Sequence, residues 1–138
     1  MRFIALQQQE AKDNWPTCRE ILKDAFRQKL HIHAVDDYLP LLITSECQLW
    51  VALDKEIIGA VVTSIDEGSN ARVCNILSLA GKDLESWLYL LDEKLTEFAK
   101  LNGCAALEYV GRGGFAKLLP SYQEDGRVFI KLIGEKNG

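Results

Sequence analysis

The chain has 138 residues, of which 48% are hydrophobic and 26% charged, the composition of one soluble globular domain over residues 1–138. Its net charge of −4 disfavours binding to nucleic acid or to an anionic membrane, because both need a basic protein surface. No segment approaches the roughly 20 apolar residues that span a bilayer, and residues 7–9 interrupt any export signal, so we expect a cytoplasmic protein.

Helices and a short strand are predicted in the first third of the chain. Residues 1–6 can form an edge strand, and an apolar face predicts a helix over residues 16–30. That helix is expected to start around residues 14–17, with Pro16 at an early position where its missing N–H is harmless. A second, shorter helix is expected to begin at Asp36.

Metal binding is not expected from the histidines or the cysteines. His31 and His33 could bind a metal together, but a site needs three or four ligands, so we favour a solvated loop. The cysteines have no closely spaced pair, and in a chain without an export signal they indicate packed, reduced thiols. They are Cys18, Cys47, Cys74 and Cys104.

Three β-strands follow, and the first two form the clearest hairpin in the sequence. Residues 48–53 and 57–65 are apolar runs joined by a short polar turn, and residues 72–79 continue the antiparallel run. Trp50 in the first of these strands is expected to pack in the core.

A tight turn and a long helix come next. Asp83 is the expected N-cap, and Gly103 occupies the place where a left-handed C-terminal stop is needed. Trp87 is expected to be a core residue of the broad apolar face. That face comprises Leu84, Trp87, Leu88, Leu91, Leu95, Phe98 and Ala99.

The C-terminal third predicts a strand over residues 104–110, a glycine-rich turn, a short helix over residues 115–119 and a last strand over residues 127–133. The strand before the long helix and the strand after it should pair in parallel through a right-handed crossover. The element order β-α-α-β-β-β-α-β-α-β therefore predicts an α+β mixed sheet with helices on both faces.

This pattern resembles the GNAT (GCN5-related N-acetyltransferase) fold, and within it small GNAT-like proteins of phages and prophages. The most specific part is a Gly-Arg turn followed by glycine, an aromatic and a basic residue. The stretches that carry the resemblance are residues 48–51, residues 59–63, Trp87 and residues 103–119.

The resemblance implies an acyl-CoA site, with acetyl-CoA as the donor. The diphosphate would lie on the backbone of residues 79–83, at the start of the long helix. Arg112 could anchor a phosphate, pair with Glu108 or cap the turn. The implied cofactor-binding residues are Leu77, Leu79, Ala80, Gly81, Lys82 and Arg112.

Two candidate catalytic residues are Glu108 and Tyr122. Glu108 could be a base if its side chain faces inward, although strand alternation also allows it to face solvent. The tyrosine acid of the family would fall near Leu118, so Tyr122 would have to replace it. The glycine signature of the family turn is reduced to Gly81.

Two functions follow from the resemblance. The first is acyl-CoA-dependent N-acetyl transfer to a small-molecule or protein amine. The alternative is a catalytically inactive phage protein that binds virion or other phage proteins, in the host cytoplasm or in the virion.

A cleft between the fourth and fifth strands is expected if acyl-CoA is used. Leu77, Leu79, Tyr109 and Phe115 would line it, with Gly81 and Arg112 on its rim. Ser78 is expected to lie opposite Tyr109, across the opening.

Overall fold

The structure is a computed structural model, and it describes residues 1–27, 35–68, 70–110, 123–125 and 128–133. The predicted helix over residues 115–119 and the His31–His33 segment lie outside these ranges.

The described strands form one mixed seven-stranded sheet in the order β1-β2-β3-β4-β5-β7-β6. Every neighbouring pair is antiparallel except β4 and β5, which are parallel as predicted. The strands are β1 (Arg2–Ala5), β2 (Cys47–Asp54), β3 (Glu56–Glu67), β4 (Arg72–Gly81), β5 (Ala106–Val110), β6 (Gln123–Asp125) and β7 (Val128–Leu132).

Three α-helices within the described ranges cover the two faces of the sheet. They are α1 (Gln8–Arg27), α2 (Tyr38–Ile43), which a single 3-10 turn precedes, and α3 (Leu84–Leu101). One apolar cluster joins α3 to the sheet, and a second joins α1 and α2 to the opposite face. The predicted α+β class with helices on both faces is therefore confirmed. The buried residues of α3 are Trp87, Leu88, Leu91, Leu95 and Ala99.

Helix α1 begins earlier than predicted, and Pro16 lies inside it rather than near its start. The carboxylate of Glu10 accepts a hydrogen bond from the Gln7 backbone N–H at 3.0 Å, which satisfies one free donor of the first turn. A buried stripe that begins before the proline holds the helix on the sheet, so packing outweighs the bond that Pro16 removes. The stripe consists of Ala11, Trp15, Cys18 and Leu22.

The C-terminal part of the sheet contains a strand that the sequence did not predict. The short strand β6 pairs with β7 at the edge of the sheet. Its three residues are all polar and show no alternation of apolar and polar positions, which is the signal that predicts a strand.

Candidate functional site

Strand β5 pairs in parallel with only the first half of β4 among the described residues. Their parallel register runs from Val73 opposite Ala106 to Ile76 opposite Tyr109. Beyond Ile76, β4 continues to Gly81, and among the described residues this part of β4 pairs with β3 alone. Ile76, not Ser78, therefore lies opposite Tyr109, so the predicted register was wrong. Ser78 lies two residues beyond the last described pair of β4 with β5.

A β-bulge at Leu77 directly follows the last pair between β4 and β5. Val62 of β3 pairs with Ser78 and Thr63 pairs with Ile76, so Leu77 is an extra residue with no partner in β3. A bulge bends the strand that carries it and increases its twist. The bulge thus marks the place where β4 pairing with β5 ends, and Leu77 is 36% exposed there.

Ser78 follows the bulge and carries a buried hydroxyl that has no hydrogen-bond partner in the part of the chain that the structure describes. The residue is 4% exposed. Leu79 packs in the α3-side cluster, so its neighbour Ser78 points to the face covered by α1. A buried polar group without a partner costs about 1–3 kcal/mol. Ser78 is therefore a candidate contact for a ligand at the opening.

A row of polar side chains crosses β3, β4 and β5 on the same face as Ser78. The Asn75 amide donates a hydrogen bond to the Asp66 carboxylate, and the Ser64 hydroxyl donates to the same oxygen at 3.3 Å. Glu108 lies opposite Asn75 in the β4–β5 pair. Its neighbours Leu107 and Tyr109 belong to the α3-side cluster, so the carboxylate of Glu108 lies on the polar face.

Glu108 is half-buried, and it makes no hydrogen bond or ion pair within the described ranges. It lies one residue before the last described pair of β4 with β5. The sequence singled out Glu108 but missed the link between Asp66 and Asn75. No local pattern reports that link, because the two residues meet only through the β3–β4 register.

The turn after β4 is folded back against β3. The Lys82 backbone N–H donates to the Ile58 carbonyl at 2.8 Å, and the Trp87 indole N–H donates to the Lys82 carbonyl at 2.9 Å. A Cβ added at Gly81 would lie 2.5 Å from the Gly59 Cα, so the two strands touch there. The glycine of the predicted phosphate turn thus permits close packing of backbone on backbone.

Asp83 occupies the N-cap position of α3, as predicted, but it does not cap the helix with its side chain. Its backbone is left-handed, with φ of 49°, and the side chain makes no capping hydrogen bond. The Ser86 amide and hydroxyl instead donate to the Asp83 carbonyl at 2.8 and 2.6 Å. At the other end, Gly103 has φ of 70° and forms the predicted left-handed stop.

Exposed charges of both signs lie near this turn, and Arg2, opposite Leu53 in β2, lies at the same end of the sheet. The register of Gly59 with Gly81 places the β2–β3 hairpin at the same end of the sheet as the start of α3. The hairpin and turn together expose four acidic and two basic side chains. The acidic ones are Asp54, Glu56, Asp83 and Glu85, and the basic ones are Lys55 and Lys82.

The remaining predicted site residues do not face one common site. Leu79 is buried in the α3-side cluster, whereas Ala80 packs against the α1-side cluster and Lys82 is exposed. Arg112, Phe115 and Tyr122 lie outside the part of the chain that the structure describes. Trp50 and Trp87 are core residues, as expected.

The described ranges contain neither a metal site nor a membrane-spanning helix. No group of three or more histidine, cysteine or acidic side chains there could hold a metal ion. No helix there is long and apolar enough to cross a membrane.

Solved acetyltransferases match the chain over nearly its whole length, although no protein-family model and no curated protein sequence matches it. A GNAT family acetyltransferase from Brucella melitensis in complex with acetyl-CoA has a TM-score of 0.66 at 12% identity, covering 99% of this chain and 92% of that one. A predicted acetyltransferase with acetyl-CoA from Clostridium acetobutylicum has a TM-score of 0.69 at 11% identity, covering 91% of each chain.

An aminoglycoside 6'-acetyltransferase type Ii also matches, with a TM-score of 0.69 at 12% identity, covering 99% of this chain and 100% of that one. At these identities the likeness establishes the fold. The chain has the GNAT acetyltransferase fold, as its sequence predicted.

Proposed function

We propose that this protein is an N-acyltransferase that binds an acyl-CoA thioester between β4 and β5 and passes the acyl group to an amine. The observation that carries this proposal is the end of β4–β5 pairing at Ile76 and Tyr109. Beyond that pair, the edge of β4 that faces away from β3 has no strand partner among the described residues. The fold, shared with acetyl-CoA-bound structures, supports the same function.

The opening between β4 and β5 suits the pantetheine arm of a thioester. Backbone N–H and C=O groups need partners, and the two amides of pantetheine can supply them along Leu77–Gly81. The Ser78 hydroxyl, buried and without a partner, can donate to a carbonyl of the arm. Backbone N–H groups aimed at the thioester carbonyl would stabilise the charge that develops on its oxygen.

Direct transfer requires one base and one acid. The amine nitrogen attacks the thioester carbon, the new C–N bond forms and the C–S bond breaks. Glu108 is the proposed base that takes the proton from the amine, since it lies one residue before the last β4–β5 pair. Tyr122 is the proposed acid that returns a proton to the departing thiolate. Arg112 is the proposed anchor for an anionic group of the donor.

The test is release of free CoA from acetyl-CoA in the presence of a panel of primary amines. The panel should include a polyamine, an aminosugar and a lysine peptide. We expect Glu108→Gln to lower kcat about 100-fold, the scale of a lost general base. The control, Glu93→Gln, removes an exposed carboxylate from the middle of α3 and should leave kcat unchanged. Equal rates for the two variants would exclude Glu108 as the base.

A second candidate is a catalytically inactive phage protein that binds virion or other phage proteins. The acidic turn after β4 and Leu118 at the expected tyrosine position favour it. It predicts no CoA release with any amine and no heat on calorimetric titration with acetyl-CoA or CoA. Measurable binding of acetyl-CoA would argue against it.

A further inference from the structure

Two carboxylates flank Asn75 in the row of polar side chains on the α1 side of the sheet. Asp66 on β3 accepts hydrogen bonds from the Asn75 amide and from the Ser64 hydroxyl, so its carboxylate is held towards β4. Glu108 on β5 lies directly opposite Asn75. Adjacent strands are about 5 Å apart, so the two carboxylates lie within about two strand spacings of each other. One short dication can therefore reach both.

No cation within the described ranges neutralises either carboxylate. Arg72, next to the partner of Asp66 in the β3–β4 register, donates instead to Glu67 at 2.6 Å. It also donates to the Asn102 carbonyl at 2.7 Å. Glu108 makes no hydrogen bond or ion pair with a described residue, and Asp66 bonds only to neutral side chains there. Asp66 is exposed and Glu108 is half-buried, so a cation from solvent has access to this pair.

The negative charge of Asp66 acts on the α1 side of the sheet. Cys47, which pairs with Ser64 across β2 and β3, is buried in the cluster beneath α1 and α2. Burial, and after it the charges of Asp66 and Glu46, raises the pKa of the Cys47 thiol to about 11. Asp66 therefore adds its field to the face on which Asn75 and Glu108 lie.

The Ser78 hydroxyl is an independent feature of the same face. Ser78 is 4% exposed, and its hydroxyl has no hydrogen-bond partner among the described residues. Because Leu77 is bulged, Ser78 is the next residue after Asn75 on this face of β4. A hydroxyl has one donor and two acceptor positions, so it can donate to a carbonyl of the acyl donor and still accept from an amine. An amine held between Ser78 and Glu108 would thus lie beside the thioester.

We propose, on the basis of the proposed function, that the acyl acceptor is a short aliphatic diamine or polyamine, whose second ammonium group is recognised by Asp66. The neutral nitrogen at Glu108 attacks the thioester carbon, forms the C–N bond of the amide and gives its proton to Glu108. The C–S bond breaks, and the thiolate leaves and takes up a proton. The second ammonium stays unreacted on Asp66, so Asp66 selects a dication over a monoamine. Asn75 is a positioning residue that holds the Asp66 carboxylate.

The test compares CoA release from acetyl-CoA with 1,4-diaminobutane and with 1-aminobutane, which has the same carbon chain and a single nitrogen. We expect kcat/KM of the wild-type protein to be at least about tenfold higher for the diamine, the scale of one charge-assisted hydrogen bond. The preference should shrink in high salt, because salt screens the attraction to an exposed carboxylate. Equal kcat/KM values for the two amines, or a lysine peptide preferred over the diamine, would overturn the inference.

A matched pair of variants assigns the preference to Asp66. Asp66→Asn removes the charge but keeps an oxygen that accepts from Asn75. It should reduce the diamine preference to about twofold by raising KM, and leave kcat/KM for the monoamine unchanged. Asp13→Asn makes the same change at an exposed carboxylate of α1 and should keep the preference. Loss of the preference in both variants, or in neither, contradicts the inference.

The wild-type comparison stands whether or not the Asp66→Asn protein folds. It also separates the inference from the proposed function. CoA release that is equally fast with monoamines and diamines overturns only the inference. No CoA release with any amine, together with no binding of acetyl-CoA, overturns the proposed function itself.

Discussion

Trp87 connects the turn after β4 to the apolar core of the sheet. Its side chain is fully buried and stacks on Phe3, with ring centroids 6.0 Å apart. Phe3 in turn stacks on Trp50, with ring centroids 5.5 Å apart. One side chain therefore joins α3, β1 and the β4 turn, so the packing of Trp87 and the geometry of the proposed donor site are coupled.

Replacing Trp87 with alanine should destabilise the protein by about 3–5 kcal/mol, because it leaves a large cavity and an unpaired Lys82 carbonyl. Urea unfolding followed by circular dichroism measures the change. Trp87→Phe keeps most of the buried area and should lose less. A Trp87→Ala protein that melts within a few degrees of wild type would exclude this packing role.

Gly59→Ala should destabilise the protein by about 1–3 kcal/mol, since the new methyl group would overlap the Trp87 ring. In a Trp87→Phe background the smaller ring leaves room, so the penalty of the same substitution should shrink. A double-mutant cycle from thermal unfolding gives the coupling. Identical penalties in the two backgrounds would show that the glycine is needed for another reason.

At the scale of the element, Lys131 links β7 to α3 through hydrogen bonds. The Lys131 ammonium donates to both oxygens of Asp92, at 2.9 and 3.1 Å, and to the Thr96 hydroxyl at 2.9 Å. The Lys131 and Asp92 side chains are only 18% and 24% exposed. The link thus joins α3 to β7, the strand that pairs with β5 and lies opposite Glu108 at Ile130.

Lys131→Met should lower the free energy of unfolding by about 1–2 kcal/mol, because Asp92 is left partly buried without its partner. Lys94→Met removes an exposed ammonium from the same helix and serves as the control. Chemical denaturation of both variants measures the difference. A Lys131→Met protein as stable as the Lys94→Met protein would show that the link contributes nothing.

The part of β4 beyond the bulge should respond to a donor that enters the opening. Hydrogen exchange of Leu77–Gly81 should slow when acetyl-CoA is added at saturating concentration, because the free edge of β4 gains partners. Val73–Ile76, already paired with β5, is the internal control and should change little. Protection confined to other segments would place the donor elsewhere.

At the scale of the whole molecule, buried thiols lie in both apolar layers. Cys74 and Cys104 belong to the α3-side cluster, and Cys18 and Cys47 to the opposite one. Burial raises the pKa of Cys18 and of Cys47 from 9.0 to about 11, and that of Cys74 to about 12. The neutral thiol is thus favoured in the folded state, as expected for packed, reduced cysteines.

These raised pKa values predict loss of stability in alkali. The folded-state pKa values exceed the unfolded value, so the contribution is complete below pH 9.0 and disappears as pH rises towards 11 and 12. The urea midpoint, measured from pH 8 to pH 11, should therefore decrease once the pH exceeds 9. A Cys74→Ala variant should show a shallower fall. Parallel curves for the two proteins would exclude the thiol as the cause.

Local patterns in the sequence were sufficient to predict the elements in which apolar residues recur periodically. The apolar spacing of α3, its stop at Gly103 and the alternation of the β2–β3 hairpin all depend on near neighbours. The strand-turn-helix-strand order was sufficient to predict the parallel β4–β5 pair and the fold class. Glu108 could be singled out because a carboxylate within an apolar strand is visible without any tertiary contact.

Only the tertiary structure decided the details on which function depends. The bulge at Leu77 arises from the register between two strands, and the Asp66–Asn75 link depends on the same register. The closed turn at Gly81 depends on Trp87 packing against Gly59 from another element. Helix α1 continues through Pro16 because its buried stripe has a sheet to pack on. Such features are set by contacts between residues distant in the chain, whereas sequence periodicity reports only which face of an element is buried.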